Sequence, residues 1–229
     1  MTAATPAPRR AGRPPRSVLS RDRITAAALE LVADTGYAGL TMSALARRLR
    51  VAPSALYNHA GSKQEVLGWI QEHVMTMVDF SAFAEEPWDE ALRSWAWSYR
   101  EVFARHTPLI PVIAVLPVTD AEKTLRMYEE VTLGLTRAGW PPERVVPVIV
   151  ALESFVYGSA LDVTAPGNIF DPGALADRFP AFTTAVRLAA TPAADESPAD
   201  IAFRTGLDGL IDGLRVQLGA WLQAEDGDR

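Results

Sequence analysis

An all-α chain in two parts, a small helical head and a larger helical body, is what this sequence predicts, and three observations predict it. Apolar residues recur at three- and four-residue steps through most of the chain. No run of alternating apolar and polar residues makes a convincing strand. Charge is divided: residues 1–63 hold ten Lys and Arg against three Asp and Glu, net +7, so the remainder carries −13 to give the overall −6. A basic head on an acidic body suits a two-part nucleic-acid binder even though the whole chain is acidic. With 229 residues, 48% apolar and 22% charged, the chain has the composition of a packed globular protein. The absence of cysteine excludes disulfides, thiolate metal sites and cysteine nucleophiles. Pro147 and Glu153 interrupt the longest apolar stretch, residues 145–161, so no membrane partner is expected.

Residues 1–19 read as a flexible basic arm, because four prolines and four arginines lie between residues 2 and 19 with almost no apolar periodicity. No apolar segment follows Arg9-Arg10, so no export signal is read and a cytoplasmic location is expected. Gly12-Arg13-Pro14 resembles the core of a minor-groove hook, and a merely solvated tail fits it as well. The head, residues 20–66, opens with Ser20 as N-cap. Ile24, Ala27, Ala28, Leu31 and Val32 then line one helical face, and Gly36 is the stop. Thr41 caps a second helix over 42–49, with Leu45 and Leu49 inward and Arg47 and Arg48 outward. Arg50, Val51 and Ala52 leave room only for a tight turn before Pro53 opens a third, very short helix through His59. Ser62-Lys63-Gln64-Glu65 is a capping box that opens a fourth.

A longer helix bracing two short ones across a three-residue turn is the geometry of a helix-turn-helix. The segment Pro53 to His59 carries one obvious core residue, Leu56, and is otherwise small or polar, as a helix that enters a groove must be. Ser54 and Asn58 are candidates for base edges, Ala55 for a thymine methyl, Tyr57 and His59 for phosphates. Tyr57 as a half-buried packing residue and His59 as an ordinary surface histidine stay open.

These residues carry a resemblance. Ala26-Ala27-Ala28-Leu29-Glu30-Leu31, Gly36-Tyr37-Ala38-Gly39-Leu40-Thr41, Leu45-Ala46-Arg47-Arg48-Leu49 and Ala55-Leu56-Tyr57-Asn58-His59 followed by Lys63 resemble the N-terminal domain of the tetracycline-repressor (TetR) family over about 50 residues. The resemblance implies a homodimeric all-helical transcriptional regulator, usually a repressor released from double-stranded DNA by a small-molecule effector. It implies that Thr41 and Ser43 lie near phosphates, that Pro53, Ser54, Ala55, Tyr57, Asn58 and His59 form the recognition helix, and that Lys63 grips the DNA backbone. Arg48 joins Lys63 as an expected sequence-independent contact. Two positions depart from the family: Arg50 stands where glycine is common in the turn, and Ala52 where Ser or Thr commonly caps the recognition helix.

The body, residues 67–229, is expected to bind an effector and to dimerise. Helices are predicted over 65–80, 87–105, 120–139, 142–161, 172–189 and 198–222, with a kink or a later start at Pro147. In the last of them Phe203, Leu207, Leu210, Ile211, Leu214 and Leu218 form an apolar stripe. Gly206, Gly209, Gly213 and Gly219 each cost about 0.8 to 1 kcal/mol inside a helix, so close approach of another helix is the expected compensation. With Gly158 late in the 142–161 helix, these residues suggest a four-helix bundle between two subunits, with intrachain packing as the alternative. The aromatic-rich stretch from Trp88 to Trp140 suits an apolar cavity or a plain core. Trp95, Tyr99, His106 and Phe155 are the candidate effector contacts. Tyr99-Arg100-Glu101 and His106 resemble the stretch of the tetracycline repressors that brings a histidine to drug-bound magnesium. The rest of that chelating set is not recognisable, so neither metal nor cofactor is expected. No nucleotide-binding, nucleophile-elbow or metallohydrolase motif is present, which excludes the commonest enzyme classes. A ligand-independent architectural DNA binder that relies on the basic arm is the rival reading.

Overall fold

Residues 19–189 and 197–227 are described by the computed structural model; the basic arm up to residue 18, with its Gly12-Arg13-Pro14 element, lies outside them. Among the described residues all regular structure is helical, in two compact units of which the first ends at Val66 and the second begins at Leu67.

In the first unit, helix α1 (Arg21–Gly39) starts where Ser20 Oγ accepts the Arg23 N–H at 3.3 Å. All five residues of its predicted apolar face are buried. Gly36, at φ 70°, breaks the helix as expected, and a last turn carries the chain to Leu40, which is 1% exposed. Helix α2 (Met42–Leu49) begins at Thr41, whose Oγ1 accepts the Ala44 N–H at 3.1 Å, and it sets Leu45, Ala46 and Leu49 into the core. Arg50 ends it in left-handed backbone, φ 57° and ψ 42°. Helix α3 (Pro53–Tyr57) is two residues shorter at its end than predicted, because Asn58 closes it as C-cap and leaves His59 in a turn. Leu56 is its one buried residue. Helix α4 (Lys63–Met75) opens on the predicted capping residues. Ser62 Oγ accepts the Glu65 N–H at 3.1 Å, while the Glu65 carboxylate reaches back to the Gly61 N–H at 2.8 Å rather than to Ser62.

The second unit is built around α5 (Trp88–Ala104), which packs against α7 (Glu122–Arg137), α8 (Pro142–Asp162) and α10 (Pro198–Gly227). The short α6 (Ile110–Ile113) and α9 (Pro180–Ala189) complete the set. Trp95, Tyr99, Phe103, Trp140 and Phe203 fill the core. Arg100 is buried there too: its Nε donates to Ser159 Oγ at 2.9 Å, its Nη1 donates to Asp200, and its guanidinium lies over the Phe203 ring, so one side chain ties α5 to α8 and α10. Arg93 paired with Asp208, and Arg215 paired with Asp89, repeat the α5–α10 link at the surface. Glu72 of α4 accepts the N–H groups of Lys123 and Thr124, a carboxylate set on the free donors at the start of α7.

Two helices depart from expectation. α4 ends at Met75 rather than continuing to residue 80, as the Thr76 hydroxyl donates to the His73 carbonyl and Ser98 accepts the Asp79 N–H. The single helix predicted over 172–189 divides into a 3₁₀ turn, Gly173–Arg178, and α9. Phe179 precedes Pro180 and cannot hold helical backbone against the proline ring; it sits at φ −128° and ψ 60°. α8 starts at Pro142, as the predicted range has it, and runs through Pro147, so the alternative of a later start is not taken.

Candidate nucleic-acid interface and ligand site

The head presents one polar surface made by the start of α2, all of α3 and the start of α4. Thr41, Ser43, Pro53, Ser54, Asn58 and His59 are exposed, Ala55 is half-buried, and Tyr57 stands 52% exposed rather than packed. Ala52 precedes α3 with no side-chain cap, so the first N–H groups of that helix are met by no protein side chain. Lys63 lies at the first position of α4 with its Nζ 3.8 Å from the centre of the Tyr37 ring, which holds the ammonium in place beside the surface. Arg48 departs from expectation. Its guanidinium is bound by Glu30 at 3.2 Å and by Asp34, so it braces α2 against α1 instead of offering a free charge to phosphate. Asp34, through hydrogen bonding and charge, raises the Arg48 pKa further.

In the body, Trp95 and Tyr99 are fully buried and stack on one another, ring centres 5.4 Å apart. Tyr99 belongs to a polar cluster within the aromatic core. Its hydroxyl donates to Glu153 Oε1 at 3.0 Å and lies 2.9 Å from the Tyr157 hydroxyl, and Tyr128 donates to the same Oε1 at 2.7 Å. Burial pushes the Glu153 carboxyl up, and the two phenols pull it partly back. Burial also raises Tyr99, Tyr128 and Tyr157, with the Glu153 charge adding to it, so the phenols keep their protons. Sequence reasoning missed Glu153 and Tyr157. Glu153 entered only as a break in an apolar stretch, yet a lone acid four residues before a tyrosine in an otherwise apolar helix is the available signal.

The other two candidate effector contacts lie elsewhere. His106 is half-buried after α5, its pKa lowered by burial and by Arg105 and His73. Phe155 stacks on Phe203 at 5.3 Å between α8 and α10, with the backbone of Gly206 against its ring. Among the described residues no three His, Asp or Glu side chains converge on a metal position.

The residues considered for a subunit interface divide. Leu207 and Ile211 are 0% exposed and Leu218 is 7% exposed, so they belong to the core of their own subunit, where α10 packs on α5 and α8. Leu210 and Leu214 are half-buried, and Gly158, Gly209 and Gly213 are open. On α8, Val146, Val150 and Leu161 are half or more exposed, which leaves an apolar face without a cover.

Comparison with known proteins follows this division. Residues 24–68 match the family described as bacterial regulatory proteins, tetR family, and residues 83–218 match the tetracyclin repressor-like C-terminal domain. The tetracycline repressor protein class D of Escherichia coli is 30% identical over 216 residues, covering 92% of this chain and 96% of its own. Apo ActR from Streptomyces coelicolor superposes with a TM-score of 0.72 at 25% identity, covering 88% of this chain and 97% of that one. ActR in complex with actinorhodin superposes at 0.68, again with 25% identity and with 88% and 97% coverage. Both domains, in order and over nearly the full length, therefore place the chain in the TetR family of transcriptional regulators, a regulator with a helix-turn-helix head and not an enzyme.

Proposed function

We propose that the protein is a repressor that binds a pseudo-palindromic operator as a homodimer and leaves it when a small-molecule effector binds the body. The exposed tip of α3 carries this reading: every residue from Pro53 to His59 except Leu56 and the half-buried Ala55 is open, on a helix too short to serve the core in any other way. Ser54 and Asn58 read base edges, Ala55 meets a thymine methyl, and Tyr57, His59, Thr41, Ser43 and Lys63 hold phosphates. One five-residue helix reads too few base pairs for useful specificity, so two copies are needed. The uncovered faces of α8 and α10, with Val146, Val150, Gly158, Gly209, Gly213 and Leu214, supply the contact between subunits. Repression and effector release are supported by the relatives, which include tetracycline repressors and an actinorhodin-bound ActR.

Selection of bound sites from random duplexes tests this. An inverted repeat with half-sites about one helical turn, roughly 34 to 36 Å, apart is the expected product. A direct repeat, a single half-site, or a monomer in sedimentation with no preferred sequence would overturn it.

A further inference from the structure

We propose that Glu153 is the charge-recognising group of the effector site and that the effector is an organic cation, an aromatic or alkyl ammonium; this rests on the effector-released reading above. The argument begins from what the fold does with one carboxylate. Glu153 sits on α8 among Tyr99, Tyr128 and Tyr157, and the Tyr99, Tyr157 and Phe103 rings pack edge to face or tilted within 5.0 to 5.7 Å of one another. Two phenol protons serve a single acceptor, and the third serves another phenol. Tyr99 and Tyr128 donate to Oε1, so Tyr157 donates in turn to the Tyr99 oxygen. Oε2 receives no donor from the described residues, and Tyr128, Glu153 and Tyr157 are half-buried rather than sealed from solvent. Among the described residues no Lys, Arg or His pairs with Glu153, and Arg100, next to Tyr99 in sequence, is bound to Ser159 and Asp200.

For a half-buried carboxylate held by two neutral phenols and by no cation among the described residues, desolvation disfavours the charged form, and a cation bound beside it would restore that form. An ammonium ligand supplies the countercharge, and aromatic rings attract cations further. The cluster also joins three helices, Tyr99 on α5, Tyr128 on α7, and Glu153 with Tyr157 on α8. A ligand that competes for Glu153 therefore loosens the hydrogen bond between α7 and α8. α7 is the helix whose first N–H groups are held by Glu72 of α4.

The test uses ligands that differ in charge alone: benzyltrimethylammonium against its neutral carbon analogue neopentylbenzene, and tetraphenylphosphonium against tetraphenylborate. Binding to the full-length protein is followed by calorimetry and by release from the selected duplex. At least one cation is expected to bind at least about tenfold more tightly than its counterpart, with Glu153→Gln erasing that preference and Tyr128→Phe reducing it. A helical circular-dichroism spectrum and a cooperative thermal transition, retained in both variants, show that they fold. Equal binding of cation and counterpart, or a preference that survives Glu153→Gln, overturns the assignment. Release by a neutral or anionic compound while every cation fails overturns the cation alone and leaves the effector reading standing. Failure of compounds of every charge class to bind or release the protein removes both.

Discussion

Ala52 stands in extended backbone, φ −67° and ψ 143°, at the N-cap of α3; its carbonyl accepts the Ala55 and Leu56 N–H groups, but it has no side-chain oxygen to offer the first turn. Ala52→Ser supplies one and is expected to stabilise the head by about 1 kcal/mol, read as a higher urea midpoint; an unchanged midpoint would mean that solvent already satisfies that turn. Two residues earlier, Arg50 holds the left-handed backbone that costs a non-glycine residue about 1 kcal/mol. Glycine relieves that strain but loses more entropy on folding, so Arg50→Gly gains less than the full amount. Glu153 gives a pH signature. Because its folded pKa lies above the ordinary value, its contribution to stability is complete below the ordinary carboxylate pKa and is lost as pH rises through the folded one. Glu153→Gln cannot ionise, so the melting temperature of the variant minus that of the parent should grow with rising pH across that window. A difference independent of pH would contradict the buried-charge account. The N-caps at Ser20 and Thr41 were legible in the sequence because a cap is local. The ion pairs of Arg48 with Glu30 and Asp34 were not, because the partners come from another helix 14 and 18 residues away.

Glycines that look alike along a helix separate once neighbouring elements are in place. A Cβ at Gly134 of α7 would lie 2.5 Å from the Phe83 ring, whereas one at Gly209 or Gly213 of α10 would meet nothing within 4 Å in its own subunit. Gly134→Ala is therefore expected to destabilise by roughly 1 to 3 kcal/mol, since Phe83 is buried and must shift. Gly213→Leu tests the other role. It should leave the helical spectrum of the subunit intact and weaken dimerisation by about tenfold or more in sedimentation, because a large side chain holds apart helices that meet at glycine. An undiminished dimer would move the interface away from this face. The apolar stripe of α10 predicted a helix correctly but not which neighbour each residue meets. Periodicity of 3.6 gives a face, and α10 buries Leu207 and Ile211 in its own subunit while leaving Leu210 and Leu214 at the edge.

For the molecule as a whole, the distribution of charge governs how it meets DNA. Lys63→Gln should weaken binding to operator and random duplex alike and lower the log–log salt slope by about one for each subunit, since one released counterion is lost with each phosphate contact. Asn58→Ala should instead cost about 1 to 3 kcal/mol on the preferred sequence only, flattening discrimination at one base pair in each half-site. Equal losses on both duplexes for both variants would dissolve the division between positioning and reading. Arg48→Gln is expected to act through the integrity of the head, by freeing Glu30 and Asp34, rather than through the salt slope.

By itself the sequence determined the helical class, the basic head with its turn and short third helix, and the family. Caps, turns and amphipathic periods act over a few residues and leave a local trace. Only the tertiary structure decided that Arg48 is spent inside the head, that four of the six residues of the α10 stripe face inward, and that Tyr99, Tyr128, Tyr157 and Glu153 converge. Those four residues span 58 positions of chain, and no local rule pairs them. What joins them is the burial of three helices against one another, which forces each buried polar group to find its partner among whatever the neighbouring helices present.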